Sequence, residues 1–168
     1  YLPINREILV LRKQQPFHWW QSHPGMHWLT VPKLKKGKEF WCMPVWGGVG
    51  HIAFQLAKAL GAEVHVTCSS KQKANRTREL GADVVINYRN LNVKEYVESY
   101  TDGKGYDVVF DTVGGSCLDD SFVAAKINGT VVSIAARASH DLSQVHVKSL
   151  SLHGCLLYTS PSPRDVEE

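Results

Sequence analysis

Residues 47–68 read GGVGHIAFQLAKALGAEVHVTC and contain a glycine-rich turn, a helical segment and an apolar strand in succession. Apolar residues recur at steps of three and four from Val49 to Leu60, which predicts a helix with one buried face. Gly61 favours the end of that helix, and the Val-rich run after it favours a buried strand. The stretch therefore predicts a helix that crosses over between two strands.

The same alternation continues on both sides of this stretch. Upstream, the apolar run EFWCMP follows the turn KLKKGK and predicts a first strand. Downstream, residues 69–82 predict a second helix, with Ser69 or Ser70 as its N-cap and Gly81 at its end. The remaining predicted elements are a strand at 83–88, a helix and turn at 92–105, a strand at 106–115, a short helix at 117–129, a strand at 130–136 and a last strand near 148–153.

Strands made of continuous Val and Ile runs need a sheet that is buried on both faces, which is typical of parallel α/β architecture. Right-handed crossovers then place every helix-opening loop along one edge of the sheet, where ligands bind. We predict an α/β fold of the Rossmann type, a parallel sheet with helices on both faces, in a truncated form.

Composition excludes several classes of function. No apolar run approaches the roughly 18–20 residues that span a bilayer, and the net charge is only +3. The lysines of KLKKGK favour a solvated turn over a nucleic-acid surface, because no basic face or aromatic interleaving follows. The four cysteines Cys42, Cys68, Cys117 and Cys155 are widely spaced without a CxxC pair, which favours reduced thiols and a cytoplasmic location.

The glycine-rich turn is the first candidate binding site. A dinucleotide-binding turn needs glycines so that a pyrophosphate can approach the free N–H groups at the helix start. Gly47 and Gly50 match the second and third glycines of the G-x-G-x-x-G fingerprint, whereas Val45 stands at the first. A purely structural tight turn is the alternative, and the surrounding strand-helix-strand unit favours phosphate binding.

The end of the next strand indicates which dinucleotide would bind. NAD-preferring folds carry an acid there to bind the ribose hydroxyls, but residues 67–73 read TCSSKQK and contain none. Hydroxyl and ammonium groups attract a 2′-phosphate that a carboxylate would repel. We therefore favour NADP(H) over NAD(H). A serine cap followed by a solvated helix face with Arg76 and Arg78 is compatible with the same residues.

With these motifs in order, residues 33–154 resemble the medium-chain dehydrogenase/reductase family. The resemblance rests on GGVGHIAFQLAKALGAEVHVTCSS, RELGADVVINYR, TDGKGYDVVFDTVGG and GTVVSIAAR. It is strongest to the quinone-oxidoreductase-like branch, whose members use NADPH and lack catalytic zinc. The resemblance implies an NAD(P)-binding Rossmann domain at 33–154.

The resemblance also implies individual cofactor contacts. The pyrophosphate would lie at the turn, the 2′-phosphate at the second strand end, and the nicotinamide between the loops 112–114 and 134–136. Tyr88 is equally compatible with a packing aromatic at a strand end. The implied cofactor-binding residues are Gly47, Gly48, Val49, Ser69, Ser70, Lys73, Tyr88, Val113 and Ala135.

Three regions depart from the family pattern. Pro44, Val45 and Trp46 put bulk into the glycine-rich turn. Residues 1–32 are rich in Trp and His without periodicity, and we expect an aberrant or remnant segment there. Residues 155–168 begin CLLYTSPSPRD, which resembles a translated sequencing adapter. We expect a non-native tail, with a native Ser/Pro-rich loop as the alternative.

The parent protein is expected to be an NADPH-dependent oxidoreductase that acts on a quinone, an enone or another small carbonyl compound. The fragment alone is expected to be inactive, and no residue is assigned a catalytic role. A Rossmann-like methyltransferase is the rival, although such proteins usually place an acid where Ser69 and Ser70 stand. A homodimer is left open, because many relatives pair through the edge of this sheet.

Two other chemistries are not favoured. His18, His23 and His27 are irregularly spaced around Pro24-Gly25, whereas zinc needs three or four ligands on an ordered frame. No metal site and no zinc are therefore expected. A hydrolase is excluded because no G-x-S-x-G nucleophile turn is present. Asp111 is a conceivable acid, but an aspartate that holds a loop at a strand end is the favoured interpretation.

Overall fold

A computed structural model describes residue 34 and residues 36–43, 48–135 and 139–154 of the chain. Within these ranges the strands form one sheet in the order β3-β2-β1-β4-β5-β6, and every neighbouring pair is parallel. The strands are β1 Glu39–Met43, β2 Glu63–Cys68, β3 Val84–Asn87, β4 Tyr106–Asp111, β5 Ala125–Ser133 and β6 Ser151–Gly154.

Local signals in the sequence explain where the helices begin and end. Asn92 and Glu95 form a reciprocal capping box at the start of the third helix. Gly61 and Gly81 follow the first two helices with φ of +85° and +99°, a conformation that favours glycine. The helices of the described ranges are α1 Gly48–Ala59, α2 Lys71–Glu79, α3 Val93–Thr101, α4 Ser116–Ala124 and α5 Ser143–Val147.

The core lies on both faces of the sheet, as predicted. On one face, Phe54 of α1 packs in a cluster with the buried side chains of β1, β2 and β4. On the other face, Tyr96 of α3 and Phe122 of α4 pack around Trp41 and Tyr106. Because both faces are covered, most of the buried side chains of the central strands are apolar. The predicted Rossmann-type α/β fold is confirmed.

The boundary between α4 and β5 corrects the predicted elements. We predicted a helix over 117–129 and a strand over 130–136, but α4 ends at Ala124 and β5 starts at Ala125. At this junction Ala125 pairs with Tyr106 of β4, and the ammonium of Lys148 donates hydrogen bonds to the carbonyls of Phe122, Val123 and Ala125. The last strand likewise lies at Ser151–Gly154 and not at 148–153.

Several sequence predictions fall outside the described residues. They concern residues 1–32, the turn at 44–47 with Val45 and Gly47, and the tail at 155–168. The candidate metal ligands His18, His23 and His27 lie in the first of these segments. In the part of the chain that the structure describes, no helix is long and apolar enough to cross a membrane.

Candidate functional site

The candidate site follows from the point at which the strand order reverses. Strands β1 and β4 lie side by side, while their crossovers lead in opposite directions along the sheet. In open α/β sheets, ligands bind in the crevice at the carboxyl ends of such strands. Gly48 and Val49 open α1 at this place, and the first turn of α1 contains no acidic residue. The N–H groups of a first helical turn lack helical partners, and no acidic side chain of this turn competes with a bound anion.

The carboxyl end of β2 supplies hydroxyl and ammonium groups beside this crevice. Ser69 and Ser70 connect β2 to α2, and the Ser70 hydroxyl accepts a hydrogen bond from the backbone N–H of Lys73. The first turn of α2 has no acidic residue, and both Lys71 and Lys73 are exposed. The region is therefore suited to an anion.

Tyr88 lies next to the same strand end. Its backbone N–H donates to the carbonyl of Cys68 over 3.3 Å, which extends the pairing of β3 with β2 by one residue. The residue is 46% exposed, so it is not a buried packing aromatic. The sheet thus brings Ser69, Ser70, Lys73 and Tyr88 together at two neighbouring strand ends.

A buried carboxylate organises the other side of the crevice. Asp111 ends β4, and its oxygens accept hydrogen bonds from the backbone N–H groups of Val113 (2.9 Å) and Gly114 (3.1 Å). The hydroxyl of Ser133, the residue paired with Asp111 on β5, lies 3.1 Å from Asp111 Oδ2. Asp111 therefore holds a loop, which was the favoured interpretation of the sequence.

Ser133 was missed by the sequence analysis. Its hydroxyl lies 3.1 Å from the carbonyl oxygen of Ala135 and 3.4 Å from the Ala135 nitrogen. Val113 and Ala135 are consequently tied to the same Asp111–Ser133 pair. The signal that could have found Ser133 is its place: a small hydroxyl residue near the end of an otherwise apolar strand next to Asp111.

His51 and Gln55 add polar groups to α1 that the sequence analysis did not single out. The Gln55 amide donates to the backbone carbonyl of His51 over 2.9 Å. Burial, followed by the positive charge of Arg76, lowers the pKa of His51. Arg76 was predicted only as part of a solvated helix face, yet its charge acts on the first turns of α1.

The thiol of Cys42 lies beneath the start of α1. Its Sγ is 3.8 Å from the carbonyl oxygen of Gly50, and the residue is fully buried. Burial, followed by the negative charge of Asp111, raises the pKa of this thiol. Cys42 is therefore a neutral packing group and not a nucleophile.

The described residues present an extended binding edge and no assembled catalytic group. The anion-suited end of β2 lies on one side of the α1 N-terminus, and the loops after β4 and β5 lie on the other. No group of three or more His, Cys, Asp or Glu side chains among these residues could hold a metal ion. Of the nine predicted site residues, Gly47 alone lies outside the described ranges. The arrangement is suited to a long ligand with separate anionic and uncharged parts.

Comparisons with known proteins agree with this geometry. Residues 48–168 match the family of zinc-binding dehydrogenases. The chain is 39% identical over 130 residues to the quinone oxidoreductase of Salmonella typhimurium, a match that covers 77% of this chain and 39% of the relative. It is 35% identical over 131 residues to a 2-haloacrylate reductase of Burkholderia, with the same two coverages. The chain thus spans about two fifths of the length of these relatives.

Solved structures show the same fold. The crystal structure of Escherichia coli quinone oxidoreductase complexed with NADPH superposes with a TM-score of 0.69 at 30% identity, over 94% of this chain and 44% of that one. The crystal structure of a 2-haloacrylate reductase superposes with a TM-score of 0.72 at 30% identity, over 82% of this chain and 46% of that one.

Proposed function

The chain belongs to the zinc-binding dehydrogenase family, in the quinone-oxidoreductase-like branch of the medium-chain dehydrogenases/reductases, and on this premise we propose that it is the NADP(H)-binding part of an oxidoreductase. The parent enzyme would transfer a hydride between NADPH and a quinone, an enone or another small carbonyl compound. Membership of this family supports an oxidoreductase domain. The choice of NADPH and the substrate class are proposals.

The observation that carries the cofactor choice is the end of β2. Ser69, Ser70 and Lys73 stand where NAD-preferring folds place an acid, and no acidic residue lies in the first turn of α2. Tyr88 is exposed, and its backbone N–H bonds the carbonyl of Cys68 at the same strand end. A 2′-phosphate would gain charge-assisted hydrogen bonds from these groups, whereas an unphosphorylated ribose would lack the carboxylate that normally binds its hydroxyls.

The remaining described residues fit the rest of a dinucleotide. Gly48 and Val49 open α1 without a neighbouring acid, which suits a pyrophosphate. Val113 and Ala135 on the far side of the crevice would flank the nicotinamide, which supplies the hydride when bound. The Escherichia coli relative was crystallised with NADPH, which supports the same choice.

A methyltransferase is the alternative from another class, but family membership and the absence of an acid beside Ser69 both oppose it. Activity of the chain by itself is not proposed. The matched relatives are more than twice as long as their matched region, and hydride transfer needs the substrate held at reacting distance from the nicotinamide. The proposal for this chain is therefore cofactor binding.

Calorimetric titration of the whole chain with NADPH, NADH and S-adenosylmethionine tests the proposal. We expect NADPH to bind at least about tenfold tighter than NADH, a difference of about 1.4 kcal/mol. Tighter binding of NADH would contradict the choice of NADP(H) and keep dinucleotide binding. Binding of S-adenosylmethionine alone would favour the methyltransferase alternative.

A further inference from the structure

We propose that Asp111 and Ser133 are positioning residues that join the loops after β4 and β5 into one preformed, uncharged surface for the nicotinamide half of the cofactor. The inference rests on the proposed function and names the parts of the chain that would orient one end of the ligand. Neither residue touches the cofactor in this proposal, because both side chains are buried. They act through Val113 and Ala135.

Several hydrogen bonds converge on the buried carboxylate of Asp111. A buried carboxylate is costly unless its oxygens accept several hydrogen bonds. Asp111 accepts from the amides of Val113 and Gly114, and Ser133 Oγ lies at hydrogen-bonding distance from it. Because Asp111 and Ser133 are register partners on adjacent strands, the sheet itself fixes the distance between the two loops. Asp111 and Ser133 therefore link the two loops where they leave the sheet.

The loops after β4 and β5 approach each other closely at Gly114 and Ala135. Gly114 adopts a φ of +70°, and a Cβ at this position would lie 1.8 Å from the carbonyl oxygen of Ala135. Two non-bonded heavy atoms cannot approach so closely, so the contact exists because residue 114 has no side chain. The loops are packed backbone against backbone at this point.

The two linked loops expose few polar groups to a ligand. The amides of Val113 and Gly114 are turned toward Asp111, and the polar backbone atoms of Ala135 are turned toward Ser133. The most exposed side chain of the described loop residues is apolar: Val113 is 45% exposed although its backbone is tied down, whereas Thr112 beside it is half-buried. An apolar surface held in place by buried hydrogen bonds suits the uncharged dihydronicotinamide ring of NADPH and not a phosphate.

Two adjacent glycines provide a matched pair of variants for the test. Gly114 and Gly115 both have positive φ, so alanine strains the backbone at either position. Alanine at 114 meets the Ala135 carbonyl, whereas alanine at 115 has nothing within 4 Å. Gly114→Ala should therefore separate the loops, and Gly115→Ala should leave them joined. Circular dichroism confirms that each variant is folded before its binding is compared.

The readout compares NADPH with adenosine 2′,5′-bisphosphate, which carries the 2′-phosphate but no nicotinamide. We expect Gly114→Ala to weaken NADPH about tenfold and to leave the bisphosphate unchanged, while Gly115→Ala changes neither. If Gly114→Ala does not fold, Ser133→Ala replaces it, with an expected loss of about threefold or more for NADPH alone. A purely structural role would weaken both ligands together.

The wild-type protein separates failure of the inference from failure of the proposed function. Equal affinities of the wild type for NADPH and the bisphosphate would mean that the joined loops add nothing, and the inference would be overturned while NADP(H) binding stands. Equal losses of both ligands in Gly114→Ala, or no loss in a folded variant, would also overturn it. If the wild type binds neither ligand, both proposals fail.

Discussion

The hydroxyl of Ser70 accepts a hydrogen bond from the backbone N–H of Lys73, with 3.3 Å between Oγ and N. The bond satisfies one of the N–H groups that the start of α2 leaves without a helical partner. It also places the Lys73 side chain at the same helix end as the two serines. One short segment thus combines helix stability with the proposed phosphate site, and substitutions can separate the two roles.

Lys73→Ala tests the proposed binding role. Removing the ammonium should weaken NADPH about tenfold and leave NADH unchanged, because only NADPH carries the 2′-phosphate. Isothermal titration with both nucleotides measures the difference. Lys104→Ala is the matched control, since it removes the same charge from an exposed site after α3. Equal weakening of NADH would mean that Lys73 does not contact the 2′-phosphate.

Ser70→Ala tests the stability role. Loss of the N-cap should lower the free energy of unfolding by about 1 kcal/mol, as measured by urea denaturation followed by circular dichroism. Ser69→Ala leaves the Ser70 cap in place and should preserve stability while still weakening NADPH. If Ser69→Ala destabilised the protein as much as Ser70→Ala, the cap assignment would be wrong.

Asp107 makes the stability of the protein dependent on pH. Burial raises the pKa of this carboxyl, but hydrogen bonds from Lys126, Lys38 and the backbone N–H of Glu39 outweigh burial and hold the pKa below its usual value. The unfolded state therefore binds more protons than the folded state below about pH 4. The stability that Asp107 contributes is present above that pH and is lost as the pH falls through the folded pKa.

Asp107→Asn should lower the free energy of unfolding by about 1–3 kcal/mol at pH 7, and the difference from the wild type should shrink as the pH falls below about 4. Urea denaturation at a series of pH values measures this convergence. Asp102→Asn is the control, because its pair with Lys104 is exposed and 3.8 Å long. A difference between Asp107→Asn and the wild type that stays constant with pH would contradict the assignment.

Lys148→Met tests the junction between α4 and β5. The ammonium lies 2.7 Å from the carbonyl oxygens of Val123 and Ala125 and 3.1 Å from that of Phe122. Methionine keeps most of the aliphatic stem but leaves the carbonyls without their charged donor. The variant should be less stable by about 1–3 kcal/mol by thermal or urea unfolding, whereas Lys94→Met on the exposed side of α3 should match the wild type.

This junction also shows where prediction from the sequence failed. The local sequence from Cys117 to Gly129 favours a single helix. The helix instead ends at Ala124, where Lys148 bonds the next carbonyl, that of Ala125, from 23 residues further along the chain. Asn128 then takes a φ of +58°, a conformation that the local Asn128-Gly129 pair favours. The wrong boundary therefore reflects both a local turn signal at Asn128-Gly129 that was not used and a contact that is distant in sequence.

Elements governed by short-range signals were predicted more successfully. The Ser70 cap, the Gly61 and Gly81 helix ends and the buried strands all depend on residues within a few positions of each other. For the candidate site, the sequence indicated the residues after each strand but not how they meet. Gly114 approaches Ala135 because β4 pairs with β5 in the sheet. This pairing is a property of the strand order and not of the residues around either position.

The strand order has a consequence for how such a domain can diversify. In the described sheet, the half that contains β1, β2 and β3 hydrogen-bonds to the half that contains β4, β5 and β6 through the β1–β4 pair. Substitutions at sites that share no partners usually have additive effects on free energy. Mutations near Lys73 and mutations near Asp111 should therefore accumulate independently, so an evolving lineage could change the proposed 2′-phosphate site without rebuilding the loops that Asp111 and Ser133 link.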